Sequence, residues 1–308
     1  MSDYHEGVLL TESIEALNIN KDGIYVDATA GGGGHSSEIL KHLSNNGKLI
    51  SIDRDPDAIK ELNKRFKDET RVKIVKDNYR NIIAILDSLK IEKVDGIIAD
   101  LGVSSHQLDM ADRGFSYHKD APLDMRMSKE GLSAKDIVNT YEKEELKRIL
   151  RDYADERFAD RIAGNIIDYR ENKEINTTFE LVEIIKKSYP QSFLKNGHPA
   201  RKTFQALRIE VNGELTDLKM SVENMFKSLK VKGRLAIISF HSAEDRIIKN
   251  VFLELSKGCI CPPEFPICVC GHKSEGKIIV RKKSPSEKEL ESNKRSKSAI
   301  LRCIEKLL

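Results

Sequence analysis

The feature that most restricts the fold is a short apolar run that ends in an acid and meets four consecutive glycines: Tyr25-Val26-Asp27-Ala28-Thr29-Ala30-Gly31-Gly32-Gly33-Gly34. Glycine reaches positive φ at little cost and leaves room for a ligand against the backbone. A helical pattern follows from Ser36, so unpaired N–H groups and the positive end of a helix dipole face the loop. Strand, glycine loop and helix start together predict a small-molecule cradle at the carboxyl edge of an open parallel sheet. The next segments agree with that architecture. Strands are expected over 24–27, 48–53, 72–75 and 94–100, each apolar and separated from the next by a helical pattern. Asn45-Asn46-Gly47 reads as a helix stop, and Asp55 with Pro56 as a helix start followed by Ile59, Leu62 and Phe66 at helical spacing. Such alternation predicts a parallel sheet covered on both faces.

From about 106 to 204 the alternation stops, and loops and helical stripes replace it. Ser133 with Asp136 predicts a capping box opening a helix toward Leu150. Phe158, Ile162, Ile166 and Tyr169 mark a second helix, and Thr178 a third carrying Leu181, Val182, Ile184 and Ile185. The α/β pattern returns near Gln205 with one long helix through Leu215, Leu218, Met220, Met225 and Leu229. A strand over 235–240, a helix over 246–255 and a closing antiparallel pair over 277–280 and 299–304 end the chain. The expected organisation is one discontinuous α/β domain, 1–105 and 205–308, with a helical domain inserted at 106–204.

Asp53 ends the second apolar run about twenty residues beyond the glycines, where an acid accepts both hydroxyls of a ribose. That fits NAD and S-adenosylmethionine equally. Two details favour the second: Ser36 stands where the dinucleotide fingerprint has its third glycine, and Asp27 suits an ammonium better than a pyrophosphate. No run of apolar residues is long enough to span a bilayer, and the first residues lack a basic segment followed by an apolar one. No membrane span or signal peptide is therefore expected, and the expected location is the cytoplasm. The net charge of +3 is small, but eight Lys or Arg against three Glu between Arg281 and Arg302 make the C-terminal segment basic.

Three further stretches bear on chemistry. Asp100-Leu101-Gly102-Val103-Ser104-Ser105-His106-Gln107 follows the fourth strand, where an open sheet brings substrate to cofactor. Arg113-Gly114-Phe115-Ser116-Tyr117 and Leu123-Asp124-Met125-Arg126-Met127 mix flat or soft side chains with arginine, which suits either a stacked base or an ordered loop. His198-Pro199-Ala200-Arg201-Lys202-Thr203-Phe204-Gln205-Ala206-Leu207-Arg208 is basic, and Ser239-Phe240-His241-Ser242 ends the fifth strand.

These stretches together resemble the MraW family, the ribosomal RNA small subunit methyltransferases H, nearly end to end. The resemblance implies a class I S-adenosylmethionine-dependent methyltransferase fold, a Rossmann-like parallel sheet with an antiparallel last strand and a helical insertion. It implies methylation of the N4 amine of a cytidine in the decoding centre, at the P site, of 16S ribosomal RNA. Carried onto this chain, its cofactor contacts fall on Gly33, Gly34, His35, Asp53, Tyr79, Asp100 and Gln107. Tyr79 stands where phenylalanine is common and His106 where proline is common. The two prolines and adjacent aromatic that other amino methyltransferases carry after the fourth strand are missing here. Asp100, Ser104 and His241 are accordingly the catalytic candidates, with Phe115 and Tyr117 as stacking surfaces and Arg201, Lys202 and Arg208 as RNA contacts. The expected partner is 16S ribosomal RNA or the small ribosomal subunit. A methyltransferase acting on DNA or protein, a non-catalytic RNA-binding assembly factor and, last, a nicotinamide oxidoreductase are the competing functions.

Of five cysteines, four form two Cys-x-Cys pairs: Cys259 with Cys261, and Cys268 with Cys270. Thiolate tetrads suit tetrahedral Zn²⁺, and Pro262 and Pro263 stiffen the link, although the usual Cys-x₂-Cys knuckle is not matched. A structural zinc is expected there.

Overall fold

The computed structural model describes residues 7–193, 197–259, 261–262, 264–265, 267 and 269–308. The chain divides into two compact units, one formed by 1–102 and 217–308 and the other by Val103–Thr216. The helical insertion therefore extends beyond the expected 106–204. Helix Ala200–Asn212 belongs to it, because Phe204, Ala206 and Leu207 are buried in the helical core.

The first unit is built on a seven-stranded sheet: β1 Ile24–Asp27, β2 Lys48–Asp53, β3 Val72–Lys76, β4 Val94–Asp100, β5 Leu229–Ser239, β6 Gly276–Lys283 and β7 Ile300–Lys306. Their order across the sheet is β3-β2-β1-β4-β5-β7-β6. β1 to β5 are parallel, and β7 runs antiparallel to both β5 and β6. This is the class I methyltransferase fold. The order reverses between β1 and β4, which opens a crevice outside their carboxyl ends. Register then places Asp27, Asp53, Asp100 and Ser239 along one edge: Asp27 lies beside Ser51 and Ile98, Asp53 beside Lys76, and Asp100 beside Ile238. At the far end of β1, Tyr25 pairs with Gly96, whose Cβ would come within 2.7 Å of the tyrosine ring. Glycine is needed there so that a large buried side chain can lie across the neighbouring strand.

Two helices expected as continuous are broken. The stretch after Gln205 is two helices, Ala200–Asn212 and Leu218–Lys227, because Gly213 and Asp217 take φ of +58° and +57° between them. Leu229 already begins β5, and Met220, expected on the buried stripe, is exposed. Ser133 and Asp136 do form the capping box, but their helix ends at Thr140, and a second, Lys143–Ala154, follows an extended Tyr141. In the third helix the cap is Thr177, not Thr178. With Ala159–Arg170 and Thr178–Ser188 these helices enclose a core of Ile137, Leu146, Ile149, Ile162, Leu181 and Ile185. No helix among the described residues is long and apolar enough to cross a membrane.

Candidate active site

The glycine loop is fixed by its neighbours. The Ala28 and Ala30 N–H groups donate to the Ile98 and Ile52 carbonyls, at 2.8 and 2.9 Å, tying the loop to β4 and β2. Gly31 donates its N–H to Asp53 Oδ2 at 2.8 Å. Gly33, with φ of +83°, is the N-cap of helix Gly34–His42, and a Cβ on it would lie 3.1 Å from Leu62, Arg65 and Phe66. Gly34 backs onto the Gly7 backbone in the same way. The cradle is therefore shaped for bare backbone on both of these positions.

Ser36, the residue that breaks the dinucleotide fingerprint, has a structural partner. Its hydroxyl donates to Asp27 Oδ2 at 2.7 Å and lies 2.9 Å from the Ser51 hydroxyl, joining β1, β2 and the helix. Asp27 itself is buried, and that burial pushes its carboxyl up to about 6. Asp53 accepts from Gly31 and from the Asp55 N–H, at 2.8 Å, and burial pushes it to about 6 as well. A carboxylate has about four acceptor positions, so Asp53 keeps capacity for hydroxyls of a ligand.

Asp100 is the most strained of these acids electrostatically. Its N–H donates to Thr29 Oγ1 at 2.6 Å, which fixes the backbone, while the buried Oδ1 has no hydrogen-bond partner among the described residues. Burial first, then repulsion from Asp27, Glu244 and Glu289, raises its pKa well above the ordinary range. His35 stands opposite, with Nδ1 4.0 Å from Asp100 Oδ2. Its Nε2–H donates to the Val8 carbonyl at 3.1 Å, the assignment that leaves Nδ1 unprotonated toward Asp100. Burial lowers the imidazole to about 4, so it is neutral at pH 7. A carboxyl oxygen buried without a partner among the described residues, at the rim that carries the glycine loop and Asp53, could accept a hydrogen bond from a ligand.

The MraW methylase family matches residues 2–307. The chain belongs to the MraW methylase family. Ribosomal RNA small subunit methyltransferase H of Clostridium botulinum (strain Kyoto / Type A2) is 57% identical over 305 residues, 98% of this chain and 99% of its own. The protein of the same name from Lachnospira eligens is 53% identical over 307 residues, 98% of each chain.

In this MraW methylase, several expected site residues have other work. His241 is the N-cap of helix Ser242–Leu255: Nδ1 accepts from the Glu244 N–H at 3.4 Å, and Glu244 Oε2 accepts from the Phe240 N–H at 3.0 Å. Its Nε2 lies 3.1 Å from Glu244 Oε1 but without hydrogen-bond alignment. Ser104 caps the short helix Ser105–Asp109: its hydroxyl accepts from the Gln107 N–H, and its own N–H donates to Gln107 Oε1. Tyr79 opens the turn after β3, held by the Asn78 cap. Sequence reasoning missed Thr29, Glu244 and Glu289. Glu244 carried a signal, an acid three residues after a capping residue. Glu289 accepts from the Leu9 N–H at 2.8 Å across almost the whole chain, and no local pattern marks that pairing.

The helical unit corrects two RNA-contact expectations. Phe115 is buried in the core with Leu123, Met125 and Met127, so it presents no stacking face. Arg113, also buried, donates to the Arg126 and Met127 carbonyls, and the Asn212 side chain bonds both Met125 and Met127. These motif residues therefore build an ordered loop. Arg208 is drawn inward: Nε and a terminal nitrogen reach both oxygens of buried Glu214 at 2.8 and 2.7 Å. Tyr117 is half-buried and stacks on His198, with ring centroids 4.5 Å apart. Arg201 and Lys202 remain exposed, with Lys202 Nζ donating to the Asp155 carbonyl. Cys259, Cys261 and Cys270 lie together, and Cys268 lies outside the described residues.

Proposed function

We propose that this chain transfers a methyl group from S-adenosylmethionine to the N4 amine of a cytidine in the decoding centre, at the P site, of 16S ribosomal RNA in the cytoplasm. The names of the two relatives support ribosomal RNA of the small subunit as substrate, presented naked or in the assembled particle. The motifs shared with the family support the base and the position. The observation that carries the catalytic part is the buried Oδ1 of Asp100 at the cradle rim, which has no partner among the described residues.

S-Adenosylmethionine, when bound, supplies an electrophilic methyl group on a positively charged sulfur. Gly33 and Gly34 would admit it against the backbone, Asp53 would accept its ribose hydroxyls, and Tyr79 offers a flat face for adenine. His35, with Nδ1 open toward Asp100, lines the same cradle. Gln107, whose side chain is buried in the cap of its own helix, is the remaining contact that the family pattern assigns.

The exocyclic amine of cytosine is a weak nucleophile, because its lone pair is delocalised into the ring. Asp100, once ionised, accepts one amino hydrogen, favours a pyramidal nitrogen and offers a place for the proton that the amine sheds. Ser104 and His241 are each committed to a helix cap, so Asp100 leads. Positioning supplies much of the remaining rate.

Two outcomes check the cofactor assignment. Asp53→Ala removes charge-assisted hydrogen bonds and is expected to weaken S-adenosylmethionine binding about tenfold or more by calorimetry. Unchanged affinity would remove the ribose from Asp53. The second outcome concerns pH. Asp27 and Asp53 hold their protons more tightly in the folded chain than the ordinary 3.8. Their stabilising effect is complete below that value and is lost as pH climbs through about 6. A cation seated among these acids favours their ionised forms. Binding is therefore expected to release protons and to tighten as pH rises from 3.8 through about 6, with Asp100 extending the window upward. Calorimetry in buffers of different ionisation enthalpy reads the proton release directly, and heats that ignore the buffer would contradict it.

The function itself is tested on ribosomal RNA and small subunits from cells that lack the protein. Methyl transfer followed by nucleoside mass spectrometry should yield N4-methylcytidine at a single decoding-centre position. Methyl groups on another base, or none on either substrate form, would overturn the proposal.

A further inference from the structure

Between helix Ser242–Leu255 and β6 the chain makes an excursion whose two ends meet where the Glu275 N–H donates to the Leu255 carbonyl at 3.0 Å. The large apolar side chains described in this excursion face solvent: Phe265, Ile267 and Val269 are 52%, 75% and 72% exposed. These three described side chains add nothing to a core.

What gathers there is sulfur. The Sγ atoms of Cys259, Cys261 and Cys270 all lie within 4.8 Å of one another. Cys259 and Cys270 are 3.8 Å apart, far beyond a disulfide bond. Sulfurs bound to a tetrahedral Zn²⁺ at about 2.3 Å sit about 3.8 Å from each other, by the geometry of the tetrahedron. Each sulfur also receives a backbone donor. The N–H groups of Cys261, Val269 and His272 point at Cys259, Cys261 and Cys270 at 3.4, 3.4 and 3.5 Å. The thiolate is the form of cysteine that binds metal. Thiolate sets select soft or borderline cations over Mg²⁺ or Ca²⁺.

We propose that Cys259, Cys261 and Cys270 bind one Zn²⁺ as thiolates, and that this metal ties Cys259 and Cys261 to Cys270. Three S–H protons pass to solvent on binding, and no electron is transferred. A further ligand or a water completes the tetrahedron. Cys303, which lies outside the cluster, is an internal control: it is buried in β7, and burial pushes its thiol up to about 12.

Full-length protein purified under reducing conditions without chelator is expected to carry about one zinc per chain by elemental analysis, as a thiolate site holds its metal tightly. Replacement by Co²⁺ should give thiolate-to-metal charge-transfer and tetrahedral visible bands. Cys259→Ser with Cys270→Ser should lose both signals, while Cys303→Ser keeps them. Should the double variant fail to fold, alkylation of the native chain decides: Cys259, Cys261 and Cys270 are expected to be protected until a chelator is added. Reduced protein that takes up no zinc, zinc retained by a folded double variant, or alkylation indifferent to chelator would each overturn the site.

Discussion

Asp100→Asn is expected to lower single-turnover methyl transfer about a hundredfold at saturating cofactor, the scale of one lost transition-state interaction. The change keeps shape and removes the capacity to become a carboxylate. Asn resembles the protonated acid that burial and the neighbouring acids favour in the cofactor-free chain. The folded protein should therefore tolerate it, and the loss should fall on the liganded state. Two measurements separate the roles that an acid can hold there. If Asp100 serves the amine, the rate stays low however much S-adenosylmethionine is added. If it serves the cofactor alone, affinity falls and saturation restores the rate. His241→Ala and Ser104→Ala belong in the same experiment. Each removes a helix cap, so the expected effect is a stability loss of about 1 kcal/mol with a smaller change in rate. Full activity of Asp100→Ala at low cofactor concentration would show that the active site lies elsewhere.

Arg208→Ala is expected to destabilise the helical unit by about 3 kcal/mol, because it leaves the Glu214 carboxylate buried without its partner. The figure sits at the low end of what a broken buried pair costs, since the Arg208 side chain keeps 16% of its exposure against 5% for Glu214. Chemical unfolding measures it. Arg201→Ala with Lys202→Ala should behave oppositely. Both side chains are exposed, so stability should change little, while RNA affinity falls and its salt dependence flattens through lost counterion release. An Arg208→Ala protein as stable as the parent but weaker on RNA would return that arginine to the RNA surface.

Much of the α/β unit is legible in the sequence because its signals are local. Acids end the apolar runs at Asp27, Asp53 and Asp100, and each does end a strand at the same sheet edge. Asp55 caps and Pro56 starts the helix that their order predicts. A strand's length and a helix cap depend on a few adjacent residues, so one chain suffices to read them. The same locality explains the helix breaks that were missed. Leu215, Leu218 and Met225 keep helical spacing, but a positive φ at Gly213 and Asp217 outweighs it.

The sequence by itself determined the alternating elements, the glycine cradle, the acids at its rim and the family motifs. Only the tertiary structure decided which side chains of those motifs remain available. It turned Phe115 into core, Arg208 into the partner of Glu214, and His241 and Ser104 into caps, and it gave Ser36 the task of bracing Asp27. It also brought Glu289 to Leu9, and left one oxygen of Asp100 buried without a partner among the described residues. A residue type and its spacing specify what a side chain can do. Whether it does so depends on the groups that chain closure brings within hydrogen-bonding range, and those lie far away in sequence.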